Sequence, residues 1–296
     1  MSVSDSILLY FGDEAALAGR IAKAAGMASA VVARHRFPDG EIKLSLPARL
    51  PARVVLLRSL NDPNEKIVEI LLAARTAREL GALKVELLAP YLAYMRQDVA
   101  FEPGEAVSQR IVGSLLASLF DALVTFDPHL HRVGRLDEVV PVSRAVALSG
   151  APLLADLIAA KLENPLLIGP DSESRQWVAT AAAARGFDSA VCTKVRHGDH
   201  EVSIELPPID LNGRNVVLID DVASTGRTLA HAARLLLARG AASVDVAVTH
   251  ALFVGDALEV IAEAGVGQVW STDCIAHPSN AVGIAPLLAE ALRSLA

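Results

Sequence analysis

The stretch over residues 215–228, which reads NVVLIDDVASTGRT, constrains the fold of this chain more than any other. Residues 216–219 form an uninterrupted, mostly β-branched apolar run, which is typical of a strand covered on both faces in a parallel sheet. Asp220 and Asp221 follow at the carboxyl end of that strand, and small hydroxylated residues come next. A helix is then predicted up to Gly240. The sequence therefore predicts a strand, a tight loop and a helix of an α/β fold.

The predicted loop has the chemistry of an anion site. The N–H groups at the start of a helix, together with the positive end of its dipole, favour a bound phosphate, and Gly226 lets the backbone come close to it. Hydroxyl groups of the loop can donate to the same phosphate, while the two carboxylates suit neighbouring sugar hydroxyls, directly or through a divalent cation. A ribose phosphate is therefore the expected ligand, and the alternative is a buried strand that ends in a charged turn. The predicted ribose-phosphate residues are Asp220, Asp221, Ala223, Ser224, Thr225, Gly226 and Thr228.

Length and composition exclude several classes of protein. The chain has 296 residues, which is enough for two domains of ordinary size. Its net charge, 27 − 34 = −7, argues against a general nucleic-acid binder. Two cysteines give no disulfide framework, no apolar run reaches the ~18 residues of a membrane span, and the first residues lack the pattern of a signal peptide. We therefore expect a cytoplasmic protein whose partners include neither nucleic acid nor membranes.

Two segments of the chain resemble each other. RVVLLR over residues 53–58 is similar to NVVLID over residues 215–220, at a shift of 216 − 54 = 162 residues. Each precedes a predicted helix that ends in Gly-Ala, where the shift is 240 − 81 = 159. The likeness favours a duplicated strand–helix–strand unit, although two unrelated units of this kind could also match by chance. The first copy has Arg58 and Ser59 in place of the two aspartates, so we expect only the second copy to bind ribose.

The duplication predicts two tandem domains, each a mainly parallel sheet flanked by helices. We expect an N-terminal domain over residues 1–143 and a C-terminal, ribose-phosphate-binding domain over residues 144–277; the family resemblance described below implies that the first is the nucleotide-side domain. The last predicted helix, within residues 278–296, is apolar on one face. We expect it to pack back on the N-terminal domain.

Polar side chains follow four predicted strands. Because the carboxyl ends of parallel strands meet at one edge of a sheet, ligands of open α/β folds bind there. His129 and Asp171 suit Mg²⁺, mostly through water, with phosphate oxygens completing the shell. The alternative for His129 is a helix-capping or loop histidine. The four groups are Arg96-Gln97-Asp98, Asp127-Pro128-His129, Pro170-Asp171 and Asp220-Asp221.

Two further segments carry candidate binding groups. Lys194 and Arg196 alternate on a strand-like segment that opens a predicted charged, mobile loop, so both can face one side. Such a pair of cations suits phosphoryl transfer, in which negative charge spreads over oxygens in the transition state; a solvated basic turn is the alternative. In a predicted turn between strands, Phe37 could stack on a flat ring beside Asp39 and Glu41, or it could pack inward at a hairpin tip.

These motifs together resemble a known family. The loop after the central strand resembles the phosphoribosyl pyrophosphate loop of type I phosphoribosyltransferases and ribose-phosphate diphosphokinases, which often carry a further aspartate where this chain has Ser224. The other motifs look like those of the diphosphokinases, and they cover nearly the whole chain. The context of Phe101 and the form Asp-Pro-His-Leu-His look closer to archaeal-type members, while residues 172–174 depart from the glycine-rich turn of many members. The matching motifs are FPDGE at 37–41, RQD at 96–98, GEAVS at 104–108, DPH at 127–129, PD at 170–171 and KVR at 194–196.

The resemblance implies a fold and an activity. The fold would be α/β, with two tandem type I phosphoribosyltransferase-like domains. The activity would be the Mg²⁺-dependent transfer of the diphosphoryl group of ATP to O1 of ribose 5-phosphate, which gives 5-phosphoribosyl 1-diphosphate and AMP. Lys194 and Arg196 would be catalytic, and the nucleotide would contact two subunits of a homodimer or larger homo-oligomer. The implied ATP-binding residues are Phe37, Asp39, Glu41, Arg96, Gln97 and Asp98, and the implied metal ligands are His129 and Asp171.

Two other functions are compatible with the ribose loop. A type I phosphoribosyltransferase would share the loop but would consume the diphosphate, and it would not need the segment from Phe37 to Glu41 or Arg96. A non-catalytic regulatory homologue would keep the fold and lose the loop cations or the metal ligands, all of which are present here.

Overall fold

The computed structural model describes residues 6–197 and 201–295, and for residues 194–197 and 201–203 it describes the backbone alone. In chain order the strands are β1 (Ser6–Phe11), β2 (Ala28–Arg36), β3 (Ile42–Ser45), β4 (Arg53–Leu57), β5 (Lys84–Leu88), β6 (Ala122–Phe126), β7 (Arg144–Leu148), β8 (Leu166–Gly169), β9 (Asp188–Val191), β10 (Thr193–His197), β11 (Glu201–Glu205), β12 (Asn215–Ala223), β13 (Ser243–Ala251), β14 (Val269–Thr272) and β15 (Asn280–Val282). The helices are α1 (Ala15–Ala25), α2 (Pro63–Glu79), α3 (Ser108–Leu119), α4 (Ala151–Lys161), α5 (Arg175–Arg185), α6 (Arg227–Ala238), α7 (Ala257–Glu263) and α8 (Ala285–Ser294).

The chain forms two compact units. Unit 1 contains the residues up to Leu148 together with those from Ile284 onward, and unit 2 runs from Ser149 to Gly283. The sheet of unit 1 has the order β3-β2-β1-β4-β5-β6-β7 and is parallel except for the β2–β3 pair, while the sheet of unit 2 has the order β15-β14-β13-β12-β8-β9 and is parallel throughout. The prediction of two α/β domains with mainly parallel sheets is confirmed.

The central strands are buried because helices cover both faces of each sheet. All five residues of β4 and of β6 are buried, and so are all four residues of β8. Their mainly apolar sequences match this environment, since a strand covered on both sides shows no alternation of polar and apolar residues. In the described part of the chain, none of the helices has the length and apolar character needed to cross a membrane.

The two sheets repeat the same pairing. In unit 1, β1 pairs with β4 at Ile7↔Val54, and in unit 2, β8 pairs with β12 at Leu166↔Val216. The shifts between these partners, 216 − 54 = 162 and 166 − 7 = 159, equal the two offsets found in the sequence. The shared register favours the duplication over a chance likeness, and it makes β4 the counterpart of β12.

The last helix belongs to unit 1. α8 packs against α1, as α4 packs against α5 in unit 2, so the end of the chain fills in unit 1 the place that α4 takes in unit 2. A buried ion pair anchors it: the Arg53 guanidinium donates to Glu86 at 2.7 Å and to the backbone oxygen of Leu292 at 2.9 Å. Lys84 contacts Glu86 at 2.8 Å and donates to the Leu295 carbonyl at 2.6 Å. Cations at the carboxyl end of a helix complement its dipole.

The boundaries of the units differ from those expected. The predicted division at 143/144 falls just before β7, which the structure assigns to unit 1 because β7 pairs with β6 from Ala122↔Arg144 to Phe126↔Leu148. At the other end, residues 278–283 stay with unit 2, because β15 pairs with β14. Only the segment from Ile284 onward joins unit 1.

The central strand is also longer than predicted. Four apolar residues were expected to form it, but β12 continues to Ala223, because its pairing with β13 runs on to Ala223↔Ala251. Asp220 and Asp221 therefore lie within the strand rather than after it. The helix that follows begins at Arg227.

Replacing Glu86 with Gln tests the anchor of α8. The change leaves Arg53 and Lys84 facing a neutral group at a buried position, and removing one partner of a buried ion pair costs about 3 kcal/mol. We expect urea denaturation to show a loss of this size. Arg185→Ala is the control, because its ion pair with Asp156 is about half exposed (48% and 54%) and such pairs contribute roughly 0–1 kcal/mol. Equal losses in the two variants would contradict the assigned role of Glu86.

Candidate functional site

The acidic groups of unit 2 lie at the carboxyl ends of β8 and β12. Because these strands pair in parallel, Asp171, which follows β8, comes to the same edge as Asp220 in β12. Both line a cavity of about 130 Å³, and residues 222–229 form the rest of its wall. The cavity thus brings together most of the predicted ribose-phosphate residues with one predicted metal ligand. Asp221 does not line it and is only 2% exposed.

The carboxylates at this edge repel one another. Burial raises the pKa of Asp220 well above its ordinary value, and the charges of Asp221 and Asp171 raise it further. A hydrogen bond from the backbone N–H of Asp221 to the Asp220 carboxylate, at 3.0 Å, acts in the opposite direction. An edge with this much negative charge favours ligands that bring hydroxyl donors or a divalent cation. The carboxylates of Asp171 and Asp220 supply the hard oxygen donors that Mg²⁺ prefers, so the residues that line the cavity fit that ion.

Gly226 shapes the loop that closes the cavity. It stands immediately before α6 with φ +70, in the left-handed region that favours glycine. A Cβ atom at this position would lie 2.8 Å from Cδ1 of Ile261 and 2.9 Å from the backbone oxygen of Ala257. The first helical bond, from the N–H of Ala230 to the Gly226 oxygen at 2.9 Å, leaves the preceding N–H groups of α6 outside the helical pattern. The loop therefore presents the start of a helix to the cavity, as an anion site requires.

The back of the loop is attached to the segment after β13. The N–H groups of Leu252 and Phe253 both donate to the oxygen of Ala223, at 3.1 and 2.9 Å, and that of Val254 donates to Ser224 at 3.0 Å. These bonds use the carbonyl groups of the loop.

The turn after Asp171 explains a departure from the family pattern. The Asp171 carboxylate accepts from the N–H of Glu173 at 3.0 Å and so caps a short 3-10 turn over Ser172–Ser174. Ser174 is fully buried and donates its hydroxyl to the Asp171 carbonyl at 2.6 Å. A Cβ on Gly169 would come within 2.2 Å of that hydroxyl. Because Gly169, which ends β8, has no side chain, the Ser174 hydroxyl has room at this position.

Lys194 and Arg196 lie on β10, which forms an antiparallel hairpin with β11. The strand-like segment predicted for Lys194 and Arg196 is confirmed, because the backbone of residues 194–197 pairs with residues 201–204. A charged, mobile loop had been expected over residues 194–200. Lys194 and Arg196 occupy alternate positions of β10, where their backbones pair with Ile204 and Val202. The rest of the predicted loop, residues 198–200, lies outside the described residues.

In unit 1 the predicted ATP-binding residues 96–98, called the nucleotide segment below, follow β5. Arg96 is exposed. The Gln97 amide donates to the Val99 carbonyl at 3.1 Å and to Glu105 at 3.3 Å. The carboxylate of Asp98 is paired with Arg132 at 2.5 Å. These bonds order the segment, and they attach it to the loop that carries His129.

His129 lies in the loop after β6 and contacts a second histidine. Its Nε2 atom is 2.5 Å from Nε2 of His131, so the two rings share a hydrogen bond. Asp127, which opens this loop, is 6% exposed and has φ +30, and its N–H donates to Leu148 at 2.8 Å. The structure places His129 in unit 1 and Asp171 in unit 2.

Phe37 stands at the tip of the β2–β3 hairpin. Its N–H donates to the Glu41 carbonyl at 2.8 Å, and the Asp39 carboxylate accepts from the N–H of Glu41 at 3.2 Å. The ring is 38% exposed and lies edge-on to His35, with centroids 4.8 Å apart. The structure therefore favours an aromatic ring available at the surface over one packed inward.

Sequence reasoning missed three residues that order these segments. Arg132 and Glu105 hold the nucleotide segment in unit 1, and Phe253 supports the loop in unit 2. Arg132 follows a recognised motif, but its partner Asp98 is 34 residues away. Pairings over such distances leave no periodic signal in a single sequence.

The counterpart of the ribose edge in unit 1 is filled by protein groups. Arg58, at the end of β4, is 1% exposed. It pairs with Asp13 at 2.7 Å and with Glu69 at 2.5 Å, and Glu14 lies 3.3 Å away. Burial raises the pKa of Glu14 to about 7, against the opposing effects of the Ser59 N–H and Arg58. This agrees with the expectation that only unit 2 keeps the site.

Comparisons with known proteins agree with this architecture. A family model for the N-terminal domain of ribose phosphate pyrophosphokinase matches residues 7–119, and a phosphoribosyl transferase domain model matches residues 144–259. The fold and the strand-end loop therefore define a protein of the phosphoribosyltransferase type.

Relatives extend the match over the whole chain. A ribose-phosphate pyrophosphokinase of Methanopyrus kandleri is 36% identical over 293 residues, which cover 98% of this chain and 99% of the relative. One of Methanosarcina acetivorans is 35% identical over 94% of this chain and 96% of its own. The crystal structure of phosphoribosylpyrophosphate synthetase from Mycobacterium smegmatis superposes with a TM-score of 0.86, at 25% identity and 99% coverage of both chains. The chain belongs to the ribose-phosphate pyrophosphokinase family, and its curated relatives named here are archaeal.

Replacing Gly226 with Ala tests the packing of the loop. The new Cβ would meet Ile261 and Ala257 in a left-handed conformation, and overpacking adds typically 1–3 kcal/mol to the backbone strain. Gly213→Ala is the matched control, because Gly213 has φ +71 but open space around it. We expect chemical denaturation to show a larger loss of stability for Gly226→Ala than for Gly213→Ala. Indistinguishable losses would show that Gly226 is required for its backbone angle alone.

Replacing Asp220 with Asn tests the charge repulsion. Because the pKa of Asp220 is higher in the folded state than in the unfolded chain, the folded state binds more protons between the two values, and stability falls as pH rises through that interval. In the Asp220→Asn variant the side chain stays neutral, so this group causes no fall in stability as pH rises. We expect Asp220→Asn to be more stable than the wild type at pH 8, and we expect the gain to disappear in acid, where the wild-type group is protonated.

Thermal unfolding across this pH range measures the effect. Glu163→Gln, at an exposed position, serves as the control for the loss of one negative charge. An Asp220→Asn variant that is less stable than the wild type at pH 8 would contradict the account.

Proposed function

We propose that this chain is a ribose-phosphate pyrophosphokinase, also called a ribose-phosphate diphosphokinase. It transfers the β,γ-diphosphoryl group of MgATP to O1 of ribose 5-phosphate and forms 5-phosphoribosyl 1-diphosphate and AMP. The observation that carries the proposal is the loop after β12, with carboxylates on one side and a helix start on the other, in a chain whose family relatives have this name over their full length.

The acceptor is proposed to bind at the strand-end cavity of unit 2. Residues 224–228 hold the 5-phosphate with backbone N–H groups and hydroxyls, and the dipole of α6 favours the anion. Asp220 and Asp221 accept from the 2- and 3-hydroxyls. Hydroxyl donors at this edge relieve the repulsion that raises the pKa of Asp220.

The donor is proposed to bind through unit 1. Arg96, Gln97 and Asp98 hold the nucleotide from their own subunit, and Phe37, Asp39 and Glu41 reach it from a neighbouring subunit. The exposed ring of Phe37, on a hairpin tip, supports this assignment. A site shared in this way requires at least a homodimer.

In the transfer, O1 of ribose 5-phosphate forms a bond to the β-phosphorus as the bond from that phosphorus to the α,β-bridging oxygen breaks. The proton of the 1-hydroxyl leaves to solvent, and the bridging oxygen departs with AMP. Lys194 and Arg196 stabilise the charge that develops on the phosphoryl oxygens and the leaving group. His129 and Asp171 are the residues proposed to hold Mg²⁺, which neutralises phosphate charge when bound. The protein otherwise contributes by holding the reactants in line.

The decisive assay is the release of AMP from ATP, with ribose 5-phosphate and Mg²⁺ each omitted in turn. We expect AMP only when all components are present, in equal amounts with 5-phosphoribosyl 1-diphosphate. Consumption of 5-phosphoribosyl 1-diphosphate with a nucleobase, without AMP release from ATP, would instead identify a phosphoribosyltransferase. Absence of both reactions would favour a regulatory homologue.

Replacing Lys194 with Ala tests its role in the transfer. Loss of a group that stabilises transition-state charge lowers turnover by about 10² or more, and we expect this loss in kcat. Lys161→Ala, at the exposed end of α4, is the control for a general change of charge. Near-normal turnover of Lys194→Ala would refute the assigned role.

A further inference from the structure

Phe253 has a backbone conformation that is unusual for its residue type. Its φ is +35, in the left-handed region that residues other than glycine rarely enter. Such conformations persist only where the surrounding structure enforces them, and they concentrate at functional sites. Phe253 lies two residues beyond β13, directly behind the proposed ribose-phosphate loop.

The conformation directs consecutive N–H groups to one target. Leu252 and Phe253 both donate to the oxygen of Ala223, and Val254 donates to that of Ser224, over 2.9–3.1 Å. An extended strand would point alternate N–H groups to opposite sides. The left-handed residue therefore allows three successive donors to hold two successive carbonyl groups of the loop.

The ring of Phe253 packs against two neighbouring parts of unit 2. It is partly buried against the core of unit 2 and packs on His277 with centroids 4.9 Å apart and planes inclined by 39°. Neither ring lines the strand-end cavity. The contact joins the turn after β13 to the loop after β14.

His277 in turn belongs to a rigid hydrogen-bonded loop. Its Nδ1 accepts from the N–H of Ser279 at 3.1 Å, and its N–H donates to the side-chain oxygen of Asn280 at 2.9 Å. The Asn280 amide donates to the carbonyls of Thr272 at 2.7 Å and Ile275 at 3.1 Å. The imidazole is therefore a fixed surface against which the Phe253 ring can rest.

We propose that Phe253 is a positioning residue for ribose 5-phosphate. Its ring, held on His277, sets the turn whose N–H groups fix Ala223 and Ser224, and thereby the geometry of the loop that receives the 5-phosphate. This inference rests on the proposed function, because it assumes that the loop binds the sugar phosphate. Phe253 acts through the loop and does not touch the substrate.

The test compares the KM for ribose 5-phosphate with the KM for ATP. Phe253→Ala removes the ring and frees the turn, so we expect the KM for ribose 5-phosphate to rise about tenfold, on the scale of a small misplacement of binding groups. The KM for ATP should change by less than about twofold, because the proposed ATP residues lie in unit 1. Calorimetric titration of ribose 5-phosphate should show the same loss of affinity.

Matched variants separate positioning from a general loss of stability. Phe253→Tyr keeps the ring and should retain the wild-type constants. Leu258→Ala alters a 40% exposed apolar side chain of α7, outside the turn, and it should have no effect. His277→Ala should reproduce the change of Phe253→Ala, and the double variant should be no worse than either single one, because both remove the same contact.

The outcomes distinguish the two proposals. A Phe253→Ala variant with an unchanged KM for ribose 5-phosphate, or with equal rises in both Michaelis constants, would overturn the positioning role alone, provided that the wild type uses ribose 5-phosphate. A wild type that neither binds nor converts ribose 5-phosphate would overturn the proposed function and this inference together. Additive effects in the Phe253→Ala/His277→Ala double variant would show that the ring contact is not the cause.

Discussion

The parallel pairing of β12 with β8 on one side and β13 on the other is the constraint on which the site depends. It brings Asp171 and Asp220 to one edge, and its extension to Ala223 fixes the start of the loop. The same pairing forces carboxylates together, and the raised pKa of Asp220 is the consequence. Charge that destabilises the free protein is what a sugar with several hydroxyls, or a divalent cation, can relieve. The edge thus lowers the stability of the free protein at the place where a ligand can relieve the repulsion, as functional sites often do.

The duplicated scaffold shows that this edge can also be used for stability. Unit 1 keeps the register of unit 2, yet Arg58 stands at the counterpart of Asp220 and is paired with Asp13 and Glu69. The unit 1 counterpart of the acidic edge is therefore a buried ion-pair cluster. The end of the chain shows a similar correspondence, because α8 packs on α1 in unit 1 as α4 packs on α5 in unit 2.

Much of this architecture was predictable from the sequence, because buried parallel strands and glycine-terminated helices leave strong local patterns. The loop at residues 223–226 and the strands before it are examples. Prediction failed where pairing between distant strands decides the structure: β12 extends through two aspartates because β13 pairs with it up to Ala223↔Ala251. The roles of Arg132 and Phe253 depend on contacts between segments distant in the chain, and no spacing rule reveals such contacts.

The central claim is that one phosphorylated pentose binds at the edge of unit 2 and none at the counterpart in unit 1. Calorimetric titration of the folded wild type with ribose 5-phosphate in the presence of Mg²⁺ tests it most directly. The account predicts one sugar phosphate per chain, with binding abolished in an Asp220→Asn/Asp221→Asn variant that remains folded. No binding by the wild type, a stoichiometry of two per chain, or undiminished binding by the double variant would contradict it.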